Sequence, residues 1–258
     1  MAPAPFSFPT LLEPYERPSD IARRPVTNSA GEDLPDDLSR KAYCILGMPI
    51  DAIEMPAVVR EIRSAAEHGV RFLLSTPNLN FLVNCQQDPE FRESVLLSDL
   101  CPADGMPIVW IARLMGLPIK ERIAGSDIFV ALQAKQPSDR ALQIFLFGGA
   151  EGVAEAAARS LNAEPLGMVC VGALDPGIGT VEEISQNEYI DAINLSGADF
   201  LAVSLGAKKG QLWLLRNHQR LRVPVRVHLG ATINFQAGTV RRAPPRLRRW
   251  GGGVVVAH

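Results

Sequence analysis

Apolar and polar positions follow two different patterns along the chain. Short apolar runs such as AYCILG, VRFLLS and ALQIFLFGG have the length and the aliphatic and aromatic content of buried strands. Between the first two, the stretch Met55–His68 places apolar residues three and four positions apart, which predicts an amphipathic helix. Strand and helix patterns therefore alternate from about Lys41 onward.

The same alternation continues through the rest of the chain. Further strands are predicted at GMVCVG, ADFLAVSLG and VPVRVHLG. Further helices are predicted at Met106–Met115, Gly152–Leu161, Glu188–Leu195 and Gln211–Arg220, with another helical stretch from about Asn78. Short apolar strands separated by helices are typical of an α/β, Rossmann-like fold, in which helices cover both faces of a mainly parallel sheet.

The start of the chain lacks this alternation. Residues 1–40 hold seven of the twenty prolines and seven acidic residues, a composition typical of a flexible leader. We therefore expect a leader over residues 1–40, a folded domain over residues 41–251 and a short tail over residues 252–258.

Charge changes what is expected of the C-terminal part. The formal net charge of the chain is −2, but residues 200–258 contain two lysines, nine arginines and no acidic residue. Five of these arginines are clustered: Arg241, Arg242, Arg246, Arg248 and Arg249. The cluster and the neighbouring Trp250 favour an anionic membrane surface or a pyrophosphate as partner. Nucleic acid is disfavoured because no recognition motif accompanies the cluster.

Cysteines and apolar runs indicate the compartment. The four cysteines form no CxxC pair and have no histidine at metal-ligand spacing, which favours buried thiols over disulfides or zinc. No apolar run approaches the ~18 residues of a membrane span. We therefore expect a cytoplasmic protein whose membrane contact is peripheral.

Polar residues follow the predicted strands, where parallel sheets bind their ligands. Thr76 and Asn78 follow VRFLLS, and Asp104 lies among apolar residues in CPADGMPIVW. A hydroxyl and a carboxylate at one edge of a sheet are candidates for acid–base chemistry. Helix capping by Thr76 and Asn78, and an Asp-Gly turn at Asp104, explain the same residues without a function.

A glycine-rich turn separates a strand from an Ala-rich helix. Gly148, Gly149 and Gly152 leave bare backbone N–H groups that can face a phosphate at the positive end of a helix dipole. A tight structural turn explains these glycines equally well. Because the spacing is not GxGxxG, a nicotinamide-dependent enzyme is disfavoured.

Charged residues in WIARLMGLPIKERIAGSDIF give further candidates. Arg113, Arg122 and Asp127 are by default surface charges, although Arg122 is also placed to reach a ligand phosphate. Among the isolated histidines, His228 is kept as a candidate because it lies at the end of a predicted strand.

Several blocks of the sequence are specific in combination. They are ILGMPIDAIEM, STPNLNFLVNCQQDPEFRESVLLSDLCPADGMPIVWIARLMG, ERIAGSDIF, FLFGG, ADFLAVSLG with its following Trp, and GATINFQAGTVRRAP. Together, over residues 41–251, they resemble the WecG/TagA/CpsF family of bacterial glycosyltransferases, glycosyltransferase family 26.

The resemblance implies an inverting transferase that works without a metal ion or other cofactor. It implies transfer of a hexose or N-acetylhexosamine, of the glucose or N-acetylmannosamine type, from a UDP-sugar. The implied acceptor is a polyprenyl-diphosphate-linked sugar at the cytoplasmic face of the cell membrane. The implied process is the biosynthesis of exopolysaccharide or another cell-surface polysaccharide.

The resemblance also implies roles for individual residues. Asp104 matches the family's proposed catalytic base, and Thr76 matches a residue that orients acceptor or donor. The candidates for substrate binding are Asn78, Arg113, Arg122, Asp127, Gly148, Gly149 and Gln211. The candidates for contact with the acceptor diphosphate or the membrane are Arg241, Arg242, Arg246, Arg248 and Arg249.

Two departures from the family pattern bear on activity. Where the family usually reads G-x-P-x-Q-E ahead of a Trp, this chain has Gly210 in place of the Gln and Gln211 in place of the Glu, so glucose is as plausible a donor sugar as N-acetylmannosamine. After RRWG the family usually continues into an aromatic and arginine-containing appendage, whereas residues 252–258 read GGVVVAH. If that appendage closes the site, we expect donor binding with impaired turnover.

These departures favour a second interpretation, a non-catalytic nucleotide-sugar-binding or scaffold subunit of the same pathway. A third, a nicotinamide-dependent oxidoreductase, rests only on the FGGAEG turn. The donor sugar, the acceptor, the linkage and the oligomeric state, a homo-oligomer included, stay open at the level of sequence.

Overall fold

The computed structural model describes residues 40–134, 140–230, 232–238, 240–242 and 254–256. Its strands are β1 (Ala42–Ile45), β2 (Met48–Asp51), β3 (Phe72–Leu74), β4 (Leu142–Gly148), β5 (Met168–Leu174), β6 (Phe200–Ser204), β7 (Val225–His228), β8 (Val240–Arg242) and β9 (Val254–Val256). Its helices are α1 (Met55–His68), α2 (Leu79–Gln87), α3 (Pro89–Leu96), α4 (Met106–Leu114), α5 (Gly125–Gln133), α6 (Val153–Ala163), α7 (Asn187–Leu195), α8 (Ala207–Arg216) and α9 (Thr232–Gln236).

Five strands form a parallel sheet in the order β3-β7-β6-β4-β5. In its register, Val225 of β7 lies opposite Phe72 of β3 and Phe200 of β6. Helices lie on both sides of the sheet, so the predicted α/β, Rossmann-like fold is confirmed. Two antiparallel pairs, β1-β2 and β8-β9, are separate from this sheet and were not predicted.

Alternate side chains of the sheet enter two hydrophobic clusters. Leu146 and Ala202 pack in one cluster with residues of α1, α5 and α6. Phe147 and Val203 pack in the other with residues of α7 and α8. Because both faces are buried, most positions of these strands are apolar, which is why they were recognisable in the sequence.

A third cluster holds the β1-β2 hairpin against α2, α3 and α4. Within it, the rings of Phe81 and Phe91 meet edge to face with their centroids 5.1 Å apart. This layer forms the support beneath residues 99–104, which carry Asp104.

The helices differ from prediction in the bounds of α8 and in two helices, α5 and α9, that were not predicted. The prediction that a helix covers Gln211–Arg220 is wrong in its bounds, because α8 begins directly after Gly206, whose φ of 80° turns the chain into the helix. The helix ends at Arg216, and residues 217–220 form a turn. Helix α5 was not predicted, since its short apolar run gives no clear helical period.

The structure describes only two of the five clustered arginines and none of residues 1–39. Arg241 and Arg242 are the last two residues of strand β8. Arg246, Arg248 and Arg249 lie outside the described residues, as do residues 1–39 of the expected leader. Within the described ranges, no helix has both the length and the apolar content needed to cross a membrane.

The neighbouring strands β4 and β6 connect to strands on opposite sides of the sheet. Strand β4 continues through α6 to β5 at one edge, while β6 continues through α8 to β7 on the other side. Ligands bind in the crevice that opens at such a point, outside the carboxyl ends of the strands. At this crevice the Gly149 nitrogen donates to the Ser204 carbonyl oxygen at 2.8 Å. A Cβ on Gly148 would lie 2.5 Å from that oxygen, so only glycine fits.

We expect Gly148→Ala to lower the free energy of unfolding by at least about 3 kcal/mol, because the new Cβ strains the positive φ and collides with the β6 backbone. Urea unfolding followed by circular dichroism measures the change. Gly69→Ala is the matched control: φ is +65° there, nothing lies within 4 Å of the added Cβ, and the expected loss is only about 1 kcal/mol. Equal losses would contradict the close approach.

Candidate active site

The position of Asp104 is determined by an extended segment, residues 99–104, that runs beside β3. Backbone hydrogen bonds join this segment to Leu73, to Ser75 and to Pro77, the last from the Asp104 nitrogen at 2.8 Å. Residue 104 and the turn after β3 are therefore hydrogen-bonded neighbours. The segment forms only isolated bridges rather than a strand of the sheet, which differs from the strand end expected from the sequence.

A buried carboxylate holds the start of this segment. Asp51, at the end of β2, is 3% exposed. Its Oδ2 accepts from the Cys101 nitrogen at 2.5 Å, and its own nitrogen donates to the Cys101 carbonyl oxygen at 2.9 Å. Because a polar group at this depth stays paired, the CPADG turn is held in one position from its first residue.

The first residue of α5 lies between Thr76 and Asp104. The Gly125 N–H lies close enough to the Asp104 carboxylate to stabilise its ionised form. A Cβ on Gly125 would lie 3.5 Å from the Thr76 Oγ1 and 3.0 Å from the Leu229 Cδ2, so the helix end is close to all three residues. The hydroxyl and the carboxylate are thus brought to one edge of the sheet, beside the positive end of a helix.

Arg122 joins two carboxylates in the same recess. Its Nη2 donates to the Asp127 Oδ2 at 2.5 Å, and its Nη1 lies 3.8 Å from the Asp104 Oδ1. The three side chains are each about one fifth exposed, 19% for Arg122 and 23% for both carboxylates. The recess therefore encloses these charges and still opens to solvent.

The pKa of Asp104 is raised to about 7, chiefly by burial and to a smaller extent by the nearby Asp127 carboxylate. The Arg122 guanidinium and the Gly125 N–H act in the opposite direction, because they stabilise the ionised form. The loss of hydration is the largest of these effects. A carboxyl group that titrates near neutral pH is well matched to accepting a proton from a hydroxyl.

Asn78 has a structural role that accounts for its position. It is the N-cap residue of α2, and its Oδ1 accepts from the Phe81 nitrogen at 3.1 Å. A Cβ on Gly105 would lie 3.9 Å from the Asn78 Cβ, so Asn78 borders the turn that follows Asp104. Thr76 is 6% exposed and is not the cap, so capping explains Asn78 alone.

Two other candidates are hydrogen-bonded to groups outside this recess. Arg113 is near the C-terminal end of α4, and its Nη2 donates to the Lys120 carbonyl oxygen at 2.9 Å. The structure does not bring it to Asp104, which precedes the start of that helix. Gln211 is fully buried, and its Nε2 donates to the Ser75 Oγ at 2.6 Å, one residue before Thr76.

The described residues also contain a cavity, which does not adjoin Asp104. This cavity of about 480 Å³ lies between α5, α6 and α9, near Met168 at the amino end of β5, and not at the Asp104 edge. Among the residues that the structure describes, no three side chains of His, Cys, Asp or Glu gather as a metal site requires.

The sequence analysis did not identify two of the groups that build the recess. Asp51 gave a weak signal, since it is an acidic residue directly after the apolar run MPI. Gly125 gave none, because its contribution is a backbone N–H whose direction depends on where α5 packs.

A family model and two named relatives all relate this chain to one group of glycosyltransferases. Residues 43–255 match the family model described as glycosyl transferase WecG/TagA/CpsF family. Two relatives, from Bacillus spizizenii and Bacillus subtilis, both bear the name N-acetylglucosaminyldiphosphoundecaprenol N-acetyl-beta-D-mannosaminyltransferase. They are 27% identical over 176 residues and 23% identical over 172 residues, which is 68% and 67% of this chain. The matched region covers 65% of each relative, slightly less than two thirds of its length.

We expect Asp104→Asn to remove a pH dependence of stability. The folded chain keeps the Asp104 proton up to about pH 7, whereas an unfolded Asp loses it near about pH 4. The folded state therefore binds more protons between these values, and stability falls as the pH rises through this window. The variant should equal the wild type near about pH 4 and exceed it by about 2–4 kcal/mol near about pH 8. Urea unfolding at both pH values measures this difference, and a less stable variant at the higher pH would contradict it.

Proposed function

Since the chain belongs to the glycosyl transferase WecG/TagA/CpsF family, we propose that it is an inverting glycosyltransferase acting on a UDP-sugar and a polyprenyl-diphosphate-linked sugar. The observation that carries this proposal is the Asp104 carboxyl group, which titrates near neutral pH beside Thr76 and the end of α5. The names of the two relatives support an acceptor linked to undecaprenyl diphosphate.

Asp104 is the proposed general base. An acceptor hydroxyl attacks the anomeric carbon of the donor from the face opposite to UDP, so the configuration at that carbon inverts. The hydroxyl proton passes to an Asp104 oxygen as the new C–O bond forms. The bond from the anomeric carbon to the UDP oxygen breaks, and UDP leaves with the electron pair. Thr76 lies close enough to the same helix end to orient one of the two sugars.

Arg122 and Asp127 adjust the pKa of Asp104 in opposite directions. The guanidinium is closer to Asp127 than to Asp104, so it lowers the pKa of Asp104 without forming a close ion pair with it. A close pair would hold the carboxylate ionised but would reduce its basicity. We assign Arg122 as a positioning residue that also offers its Nη1 to a substrate oxygen.

The glycine turn after β4 is the proposed site of the UDP diphosphate. Gly148 and Gly149 bring bare backbone to the crevice where the strand order reverses, and α6 begins there without a side-chain cap. Because the Gly149 N–H already donates to Ser204, the first turn of α6 and the positive end of its helix dipole are the groups that favour an anion at this place. This helix end, and the five arginines within residues 241–249, would stabilise the negative charge that develops on departing UDP.

A lipid-linked acceptor requires the chain to work at a membrane surface. The C-terminal arginines supply positive charge for the anionic inner face of the cell membrane. We therefore propose a cytoplasmic, peripherally bound enzyme of exopolysaccharide or other cell-surface polysaccharide biosynthesis. The transferred sugar is a hexose or an N-acetylhexosamine.

A second candidate function is a non-catalytic nucleotide-sugar-binding subunit of the same pathway. The observation that favours it is the pair Gly210 and Gln211, which departs from the usual Q-E of the family pattern. Both functions require UDP-sugar binding, and only the enzyme requires the proton-accepting carboxylate of Asp104.

We expect Asp104→Asn to lower kcat by about 10²–10⁴-fold, the usual contribution of a general base, with little change in UDP-sugar affinity. UDP release from a panel of UDP-sugars, with a polyprenyl-diphosphate-linked sugar as acceptor, measures the rate. The wild-type rate should rise with pH around a midpoint near 7, because the protonated carboxyl group cannot accept a proton. Asp191→Asn, an exposed change on α7, is the control. UDP-sugar binding without release in the wild type would favour the non-catalytic subunit.

We expect replacement of the five clustered arginines by serine to weaken binding to anionic phospholipid vesicles by at least about 100-fold, since each basic residue near such a surface contributes about 1 kcal/mol. Co-sedimentation with vesicles at low and high salt measures the binding. Vesicles of neutral phosphatidylcholine are the control. Unchanged binding of the variant to anionic vesicles would contradict a membrane role for this cluster.

A further inference from the structure

Two buried polar atoms near the Asp104 edge lack a hydrogen-bond partner among the residues that the structure describes. They are the Gln211 Oε1 and the His228 Nε2. Gln211 is fully buried and His228 is 4% exposed. Nearly all buried polar groups in folded proteins are paired, so an unpaired one calls for a ligand, a water or another function.

We infer the orientation of the Gln211 amide from a chain of hydroxyl groups. The Ser98 Oγ donates to the Ser94 carbonyl oxygen at 3.2 Å, so the Ser75 Oγ is the donor in its 2.7 Å contact with Ser98. Ser75 must then accept from the Gln211 Nε2, which lies 2.6 Å away. Turning the amide round would break this chain, and the Oε1 is therefore the atom left to accept a further hydrogen bond.

His228 lies beside this amide at the end of β7. Its position follows Val227, which pairs with Leu74, so His228 lies level with Ser75 at the end of β3. The ring is packed against α8, since a Cβ on Gly210 would be 2.1 Å from the His228 Cδ2 and 2.9 Å from its Nε2. The imidazole thus occupies the space that a side chain at position 210 would need.

Positions 210 and 211 are also where this chain departs from the usual sequence of the family. Gly210 stands where a Gln is usual and Gln211 where a Glu is usual. An amide in place of a carboxylate leaves position 211 uncharged. Burial lowers the pKa of His228 to about 4, so its imidazole is neutral at physiological pH. Both open atoms therefore belong to uncharged groups.

We propose that His228 and Gln211 form the floor of a sugar subsite next to Thr76, where their open atoms bind hydroxyl groups of a neutral sugar. This inference rests on the proposed glycosyltransferase function. A hydroxyl group both donates and accepts, so it pairs with the Gln211 Oε1 and with the His228 Nε2 in either tautomer. A carboxylate has no proton to offer the Oε1, so the floor favours a sugar that presents hydroxyl groups to it rather than a carboxylate.

The test is His228→Phe, which keeps an aromatic ring at this position and removes both ring nitrogens, the unpaired Nε2 included. We expect the KM of one sugar substrate to rise about tenfold, because a site built to pair with a hydroxyl loses that bond. A rise in the KM of the UDP-sugar assigns the floor to the donor, and a rise in the KM of the lipid-linked sugar assigns it to the acceptor. The melting temperature should not fall, since a buried unpaired nitrogen has been removed. His68→Phe, at the exposed end of α1, is the matched control and should leave both KM values unchanged.

The outcomes separate this inference from the function on which it rests. Normal turnover by His228→Phe with both KM values unchanged would overturn the sugar floor and leave the transferase function standing. A wild-type chain that neither binds UDP nor releases it would overturn the transferase function and the floor together. If His228→Phe does not fold, Gln211→Met decides, because it removes the open acceptor at similar volume: the same rise in KM supports the floor, and unchanged KM values overturn it.

Discussion

The hydrogen bonds between residues 99–104 and the end of β3 are the interactions on which the site depends. Asp104 and Thr76 are far apart along the chain and belong to different parts of the fold. The bond from the Asp104 nitrogen to the Pro77 carbonyl oxygen makes them neighbours, and Asp51 holds the start of the same segment. Without this pairing the carboxyl group would have no fixed relation to α5, whose first N–H and dipole act on it.

The electrostatics of the recess are a balance in which the loss of hydration outweighs attraction. Arg122 lies near Asp104, and a positive charge alone would lower the pKa of a carboxyl group. The guanidinium is shared, however, and its shorter contact is with Asp127. Desolvation therefore prevails, and the pKa of Asp104 rises to about 7. One arginine between two acids thus leaves a carboxyl group with a proton affinity suited to neutral pH.

Much of the fold was predictable because burial on both faces makes the strands predominantly apolar. Helix α1 was predicted with its observed bounds, and the family expected from the sequence blocks was confirmed. Helix α5 was missed, and so was the contribution of Gly125, because both depend on packing between segments that are distant in sequence. Asp104 was a candidate from its chemical setting in the sequence, but Asp51 and Arg122 acquire their relation to it only in three dimensions.

The packing of His228 against Gly210 has a consequence for how this sequence can change over time. A side chain cannot enter position 210 while the ring is present, since a Cβ would lie 2.1 Å from it. Replacing the ring first would leave a void beside a buried amide. Either single change disturbs this packing, so the effects of substitutions at positions 210 and 228 on stability are not additive. A Gln at position 210 therefore fits this backbone only together with a smaller residue at position 228.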